Sequence, residues 1–261
     1  MSILGQDKLL KLIDSYSNET FPRTSLLVGE YGCGKHTLTK YIVDKLHEDF
    51  EDITDTISFE KISDITLTII SKVYFIDLNK VNEKSQNIIL KFIEEPLNNA
   101  HIILSCDNEN LVLDTIINRC VKFTFEKYSD ETLKAFTTDD SLLSVCSTPG
   151  QILKFQYLNI NELDNFCSLL IDKLGVANYS NALSIDTKFN YKDDYDKFDV
   201  RIFFMMLSKK LSERYKKTLD KKFLTMYNIV MKYCNEYQLD SRLNKQYLLD
   251  RMITELWESL K

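Results

Sequence analysis

The feature that most restricts the fold of this chain is a glycine-rich loop between a strand-like segment and a helix-like segment. Residues 24–28, TSLLV, form the short apolar run of a buried strand. Residues 29–37, GEYGCGKHT, match the pattern G-x-x-x-x-G-K, and apolar residues at helical spacing follow them. In this context glycines let backbone N–H groups turn toward a phosphate, and the lysine supplies a cation. The segment therefore predicts a phosphate-binding loop, the alternative being a glycine-rich turn without a ligand.

The position after the lysine departs from the usual pattern. It normally carries Ser or Thr, whose hydroxyl binds Mg²⁺, and here it is His36. Imidazole is a poor ligand for a hard cation that prefers oxygen. We therefore expect that ATP or ADP can bind but that Mg²⁺ is weakly held. The candidate nucleotide-binding residues in this segment are Gly29, Gly32, Gly34, Lys35 and Thr37.

A second apolar strand, at residues 73–76, ends in a carboxylate, Asp77. This arrangement looks like the Walker B element, in which the aspartate reaches Mg²⁺ through water, so Asp77 joins the candidate nucleotide-binding residues. In an active ATPase of this general type the next residue is usually Glu, which positions the attacking water. Here it is Leu78, which can neither accept a proton nor orient water. We therefore expect an ATPase fold with little or no intrinsic hydrolysis.

The order of strand-like and helix-like segments predicts the fold class. Further strands are predicted at residues 101–105 and 121–125, and helices at residues 9–13 and 88–93. This alternation is typical of an α/β P-loop domain in which helices flank a parallel sheet. From about residue 161 the pattern is almost wholly helical and predicts an all-α domain. Its predicted apolar faces are Ile202, Met206, Leu207 and Leu211, and Leu248, Met252, Leu256 and Leu260.

Composition excludes several classes of protein. The net charge of −6 disfavours a protein that coats nucleic acid with its whole surface. The six cysteines include no C-x-x-C pair, so we expect reduced, mostly buried thiols, with neither zinc nor disulfides. No apolar run approaches the ~20 residues that a membrane helix needs. We therefore expect a soluble, cytoplasmic protein without membrane contact.

Several segments resemble the AAA+ subunits of DNA-polymerase sliding-clamp loaders, and most of all the delta-prime type of bacterial DNA polymerase III. Residues 86–96, QNIILKFIEEP, are similar to the family's QNALLKTLEEP, and residues 114–120, DTIINRC, to P-T-I-x-S-R-C. Residues 3–6, ILGQ, resemble I-I-G-Q, and residues 147–150, STPG, resemble G-S-P-G. Residues 243–249 are loosely similar to the end of the delta-prime collar.

The resemblance implies an organisation and partners. It implies an AAA+ domain at residues 1–125, a reduced lid at 126–160 and a helical collar for oligomerisation at 161–261. The implied partners are other clamp-loader AAA+ subunits, the sliding clamp and, through the complex, primer–template DNA. The implied setting is a bacterial cytosol or, for such a minimal version, a phage-infected cell.

The resemblance also assigns roles to single residues. Arg119 falls on the arginine that reaches a neighbouring subunit's ATP, so it is the candidate catalytic residue in trans. Asp107 falls on the family's sensor position, usually Thr or Asn, and its carboxylate would repel a γ-phosphate. The turn at residues 147–150 lacks the arginine that active subunits carry there.

The sequence is compatible with three functions. The leading interpretation is a weakly hydrolysing or non-hydrolysing clamp-loader subunit with a structural and trans-activating role. The first alternative is an active AAA+ ATPase of DNA replication, either a homo-oligomeric clamp loader or a helicase loader. The second is an unrelated P-loop binding module such as a nucleotide kinase, which would need an acceptor site and an arginine-rich lid.

Overall fold

A computed structural model describes residues 3–67, 71–94, 100–174, 199–239 and 244–261. Pro96 and Leu243, which end one and begin another of the segments that resemble the clamp-loader family, lie outside the described residues. The strands are β1 (Thr24–Val28), β2 (Asp49–Asp52), β3 (Lys72–Asp77), β4 (Ala100–Cys106) and β5 (Val121–Thr124). The helices of the first part are α1 (Asp7–Asp14), α2 (Lys35–Leu46), α3 (Phe59–Thr66), α4 (Glu83–Glu94), α5 (Asp114–Ile117) and α6 (Asp130–Lys134). Those that follow are α7 (Asp140–Leu143), α8 (Pro149–Phe155), α9 (Ile160–Leu174), α10 (Val200–Thr218), α11 (Lys221–Leu239) and α12 (Lys245–Glu258).

The five strands form one parallel sheet in the order β2-β3-β4-β1-β5. The central strands β1 and β4 are buried along their whole length, as expected of a sheet covered on both faces. Because all strands are parallel, their carboxyl ends share one edge of the sheet. The glycine-rich loop leaves β1 at that edge.

Side chains that alternate along each strand supply two separate apolar cores. On β1, Leu26 packs in one core with α3 and α4, whereas Leu27 packs in the other with α1 and α2. On β3, Tyr74 packs in the same core as Leu26, and Phe75 packs in the same core as Leu27. Because both faces of these strands pack in a core, their sequences are continuous apolar runs. The sequence-based prediction of a sheet flanked by helices is confirmed.

Several elements were not predicted, among them the strand β2 and the helix α3. The strand β2 has the sequence DFED, and it lies partly exposed at the sheet edge, so it lacks an apolar run. The helix α3 begins after Ser58, whose side chain accepts a hydrogen bond from the N–H of Lys61. This N-terminal cap is a local signal for helix α3 in the sequence.

The chain divides into two compact units. One comprises Met1–Phe136 and Ser147–Leu153, and the other comprises Thr137–Cys146 and Lys154–Lys261. The first unit therefore holds the sheet and the turn at residues 147–150. The predicted lid range, residues 126–160, is shared between the two units. The predicted division into AAA+ domain, lid and collar stays a prediction.

The second unit is built from packed helices. Helix α10 packs against α9 and α11, and α11 packs against α12. The predicted apolar face of α10 is buried, and so are Leu248, Met252 and Leu256 of α12. Leu260 lies beyond the end of α12 and is only partly buried. Within the described parts of the chain, no helix is long and apolar enough to cross a membrane.

Candidate functional site

A cavity of about 620 Å³ lies in the first unit, where the glycine-rich loop meets the carboxyl ends of β3 and β4. This volume is in the range of small-molecule sites, and the crevice at the carboxyl ends of parallel strands is where ligands bind in open α/β sheets. Of the predicted nucleotide-binding residues, Gly32, Gly34, Lys35, Thr37 and Asp77 line the cavity. Gly29 belongs to the site through its backbone carbonyl, which accepts a hydrogen bond from Lys35 Nζ at 2.5 Å.

The glycines give the loop its shape. Gly32 and Gly34 have φ angles of +83° and +102°, in the left-handed region that favours glycine. Helix α2 begins directly after Gly34, so its N-terminus and its unpaired N–H groups point toward the cavity. This geometry suits an anion such as a phosphate.

The turn at residues 147–150 holds the loop from outside. The N–H of Gly150 donates to the Gly32 carbonyl at 2.9 Å, and Thr148 Oγ1 donates to the Tyr31 carbonyl at 2.8 Å. Ser147 Oγ donates to the Glu30 carboxylate at 2.6 Å. Consecutive loop residues are thus tied to one turn that lies far away in the sequence. The loop is thereby fixed by long-range hydrogen bonds in addition to its glycines.

The ammonium group of Lys35 has oxygen atoms around it. Besides the Gly29 carbonyl, Nζ donates to the Glu30 carbonyl at 3.2 Å and to Asp107 Oδ1 at 2.6 Å. The lysine side chain is only 11% exposed, and that of the aspartate is 32% exposed. The cation predicted to bind phosphate therefore has a carboxylate of the protein as a partner.

A polar network joins the ends of β3 and β4. Asn79 donates from Nδ2 to Asp77 Oδ1 at 2.6 Å and to Asp107 Oδ1 at 3.3 Å. The Asp107 N–H in turn donates to Asn79 Oδ1 at 2.9 Å. Ser105 Oγ donates to Asp77 at 3.4 Å. Asp77 is therefore held at the cavity by neighbouring donors, next to a second carboxylate.

The two positions that depart from the active-ATPase pattern have other roles. The His36 ring lies against Phe75 and Phe50, at centroid distances of 5.2 and 6.1 Å. Leu78 is 1% exposed and packs in the core on the α3 and α4 side of the sheet. The position that would present a catalytic carboxylate thus carries a core side chain, and the residues present fit a nucleotide better than they fit its Mg²⁺.

Apolar side chains also line the cavity. Among them are Ile3 and Phe136, together with Leu4 and Leu153, which are each about half exposed (50% and 49%). Tyr128 lines the cavity as well, and its hydroxyl donates to the Cys33 carbonyl of the loop at 2.6 Å. An apolar surface beside a phosphate-binding loop suits the flat face of a nucleobase.

Arg119 lies away from this cavity, between α5 and β5. Its Nη2 forms an ion pair with Glu94 Oε1 at 2.8 Å, and its Nη1 donates to the Thr115 carbonyl at 2.9 Å. Its side chain is 41% exposed. The structure therefore separates Arg119 from the nucleotide-binding residues of its own chain.

Sequence reasoning did not place several parts of the site, among them Asn79, Ile3 and the turn at residues 147–150. Asn79 follows Asp77 by two residues, but an asparagine after a strand is common in turns and gave no specific signal. Ile3 and the turn at residues 147–150 were noted only as parts of family motifs. Their place at the glycine-rich loop depends on contacts between distant residues.

Four of the six cysteines are buried, which confirms the prediction that most of them are. Burial raises the pKa of Cys33 to about 11, even though the nearby Lys35 acts in the opposite direction. It raises the pKa of Cys106 and Cys146 to about 12. These thiols are therefore protonated near neutral pH and behave as small apolar side chains.

The sequence profile of a family described as DNA polymerase III, delta subunit, matches residues 47–129. This segment contains Asp77, Leu78, Asp107 and Arg119. No curated protein gives a significant match.

Among solved structures, a point variant of RuvB from Thermotoga maritima is similar over 95% of this chain and 88% of its own, with 17% identity and a TM-score of 0.52. A second point variant of the same RuvB matches over 83% and 78%, with 16% identity and a TM-score of 0.50. A DNA polymerase III gamma subunit-related protein from Thermotoga maritima matches over 98% and 100%, with 16% identity and a TM-score of 0.48. Residues 47–129 therefore resemble the DNA polymerase III delta subunit family, and the fold of the chain is similar to that of RuvB.

Proposed function

We propose that this chain is a subunit of a clamp-loader complex that helps to place a sliding clamp on primer–template DNA during replication. In this proposal it binds ATP or ADP without appreciable hydrolysis and acts in trans on a neighbouring subunit. The observation that carries the proposal is a cavity of nucleotide size over the glycine-rich loop and Lys35, with buried Leu78 at the hydrolytic position. The partners are other AAA+ subunits and the clamp, as the family match suggests.

The chemistry of the cavity supports binding rather than turnover. Hydrolysis needs a base or a water-positioning residue and a metal that neutralises charge on the phosphates. Leu78 supplies no such group, and His36 packs against aromatic rings where a Mg²⁺-binding hydroxyl would stand. Hydrolysis would also increase the negative charge on the γ-phosphate, and the nearby carboxylate of Asp107 would repel that charge.

Arg119 is the proposed trans-acting residue. Its ion pair with Glu94 is exposed, and exposed pairs are typically worth about 0–1 kcal/mol. An arginine finger accelerates phosphoryl transfer by ~10³–10⁵, or about 4–7 kcal/mol. Releasing Glu94 is therefore a small cost compared with the gain at a neighbour's γ-phosphate. Lysine would not reproduce the forked geometry of the guanidinium.

The helical second unit is proposed to drive assembly. Its helices α9 to α12 pack through apolar faces, and the resemblance to clamp-loader subunits implies an oligomerisation collar at residues 161–261. A chain that ends near residue 160 should then keep the phosphate-binding loop and fail to join the complex. Gel filtration with the partner subunits would measure this, and normal assembly of the shortened chain would contradict the role.

The function is tested with the full chain, the sliding clamp and the AAA+ subunits encoded in the same genome. The isolated chain should hydrolyse ATP no faster than background. In the reconstituted complex, Arg119→Ala should leave assembly intact and lower clamp- and DNA-stimulated ATP turnover at the neighbouring subunit's site by ~10³ or more. Arg23→Ala is the matched control, because Arg23 is exposed and precedes β1 at the opposite edge of the sheet.

Three outcomes separate the proposals. Failure of the wild-type chain to join any complex with the clamp-loader subunits would refute the clamp-loader role. Wild-type turnover in an assembled Arg119→Ala complex would remove the trans-acting role and leave a structural subunit. Turnover by the isolated chain that is abolished by Lys35→Ala would favour an active AAA+ ATPase, either a homo-oligomeric clamp loader or a helicase loader.

A further inference from the structure

The Lys35 ammonium group has no N–H left for a phosphate. An ammonium carries three N–H donors, and Nζ has three oxygen acceptors, in Gly29, Glu30 and Asp107. A bound phosphate must therefore displace one of them. The aspartate is the only charged partner among these three, so it competes most directly with an incoming anion.

The competing carboxylate is held in place by its surroundings. Asp107 follows β4, and its N–H and carboxylate both bond the side-chain amide of Asn79. The same amide nitrogen, which carries two N–H groups, also donates to Asp77, so one amide group bridges two carboxylates. This arrangement builds a negative region around the end of the lysine side chain.

The position of this region relates it to the third phosphate of a nucleotide. The lysine of a phosphate-binding loop reaches the β- and γ-phosphates, whereas the loop N–H groups hold the phosphates nearer the nucleoside. The Lys35 ammonium group lies beside Asp107, so this carboxylate faces the γ-phosphate end of the site. A diphosphate can occupy the loop without approaching the two aspartates as closely. A triphosphate must place additional negative charge against them.

We propose that Asp107 makes this site selective for nucleoside diphosphates over triphosphates, so that the loop holds ADP as a retained ligand. The inference rests on the proposal that the loop binds a nucleotide. It adds that this nucleotide is ADP and that Asp107 determines the preference. Asp107 acts both by engaging Lys35 and by repelling a γ-phosphate.

The test is a titration of the purified full chain with fluorescent ADP and ATP analogues in EDTA, where no divalent cation offsets the phosphate charge. The wild type should bind ADP at least ~10-fold more tightly than ATP, as one additional close repulsion at a partly exposed site implies. Asp107→Asn should raise the affinity for ATP by ~10-fold or more and reduce the preference. Asp107→Glu, which keeps the charge, should retain the preference for ADP.

Asp44→Asn controls for the change in net charge, because Asp44 is exposed on α2 and lies outside the cavity lining. Thermal melts of each variant show whether it is folded. Equal affinities for ADP and ATP in the wild type would overturn the inference, and so would an unchanged ratio in Asp107→Asn. Absence of binding of both nucleotides to both proteins would overturn it as well. Assembly with partner subunits, measured by gel filtration, tests the clamp-loader proposal independently of these affinities.

Discussion

Two effects of the substitution Gly150→Ala on stability oppose each other, because Gly150 lies in a helix but also close to Gly32. Gly150 lies in the first turn of α8, where alanine is intrinsically a better helix former by up to about 1 kcal/mol. A Cβ on Gly150, however, would lie 2.6 Å from the Gly32 Cα and 2.7 Å from the Gly32 carbonyl oxygen. Both contacts involve backbone atoms, which cannot move aside as a flexible side chain would.

The magnitudes favour the steric effect. Overpacking of this kind typically costs about 1–3 kcal/mol. Any shift also stretches the hydrogen bond from the Gly150 N–H to Gly32, which is worth about 1 kcal/mol. After the gain in helix propensity is subtracted, we expect Gly150→Ala to lower the free energy of unfolding by about 1–3 kcal/mol. The melting temperature should then fall by ~2–10 °C.

Urea unfolding followed by far-UV circular dichroism measures the free-energy change, and a thermal melt gives the temperature shift. Gly150→Ser is the matched variant, since it adds the same Cβ without the full helix propensity of alanine, and it should be at least as unstable. A Gly150→Ala protein as stable as the wild type would refute the reasoning. It would show that the loop and the turn can separate without cost and that they do not fix each other.

Three further predictions concern single side chains. Gln86 is 4% exposed and bonds two backbone groups of the segment after β4, so Gln86→Ala should cost about 1–3 kcal/mol in urea unfolding. Burial raises the pKa of Cys33 to about 11, so its alkylation, read by mass spectrometry, should be slow at pH 8 and accelerate as the pH rises toward 11. The hydrogen bond from Lys232 lowers the pKa of Glu255, so its contribution to stability is present above the ordinary pKa of 4.5 and is lost as the pH falls through the lowered value. Glu255→Gln should therefore flatten the acid side of the stability profile.

Each of these has its own control. Asn87→Ala is the comparison for Gln86, because Asn87 is exposed and its side-chain amide donates to the Glu83 carbonyl of the same helix. An equal cost for the two would mean that burial of Gln86 adds nothing. For Cys33, the urea-unfolded chain is the reference, and native alkylation as fast as in that state would contradict burial. For Glu255, identical slopes for wild type and variant below about pH 5 would exclude the linkage.

Local patterns in the sequence were sufficient to predict the phosphate-binding loop and most strands of the sheet. The strand, the glycine-rich loop and the helix from Thr24 to Leu46 are consecutive, so their spacing alone predicts a phosphate-binding loop. The continuous apolar runs of β3 and β4 indicate strands buried on both faces. Leu78, read from the sequence, already shows that the carboxylate usual after the aspartate of an active ATPase is absent at this position. By contrast, β2 went unpredicted because an acidic edge strand is stabilised by pairing with β3 and has no apolar run of its own.

Only the tertiary structure decided what surrounds the loop. Lys35 and Asp107 are 72 residues apart, and Thr148 bonds Tyr31 across 117 residues. Such contacts depend on the order in which parallel strands assemble, because that order brings the ends of β1, β3 and β4 to one edge. Helical and strand periodicities carry no information about which distant side chains meet there. The phosphate-binding loop could therefore be predicted from the sequence, whereas the ion pair between its lysine and Asp107 could not.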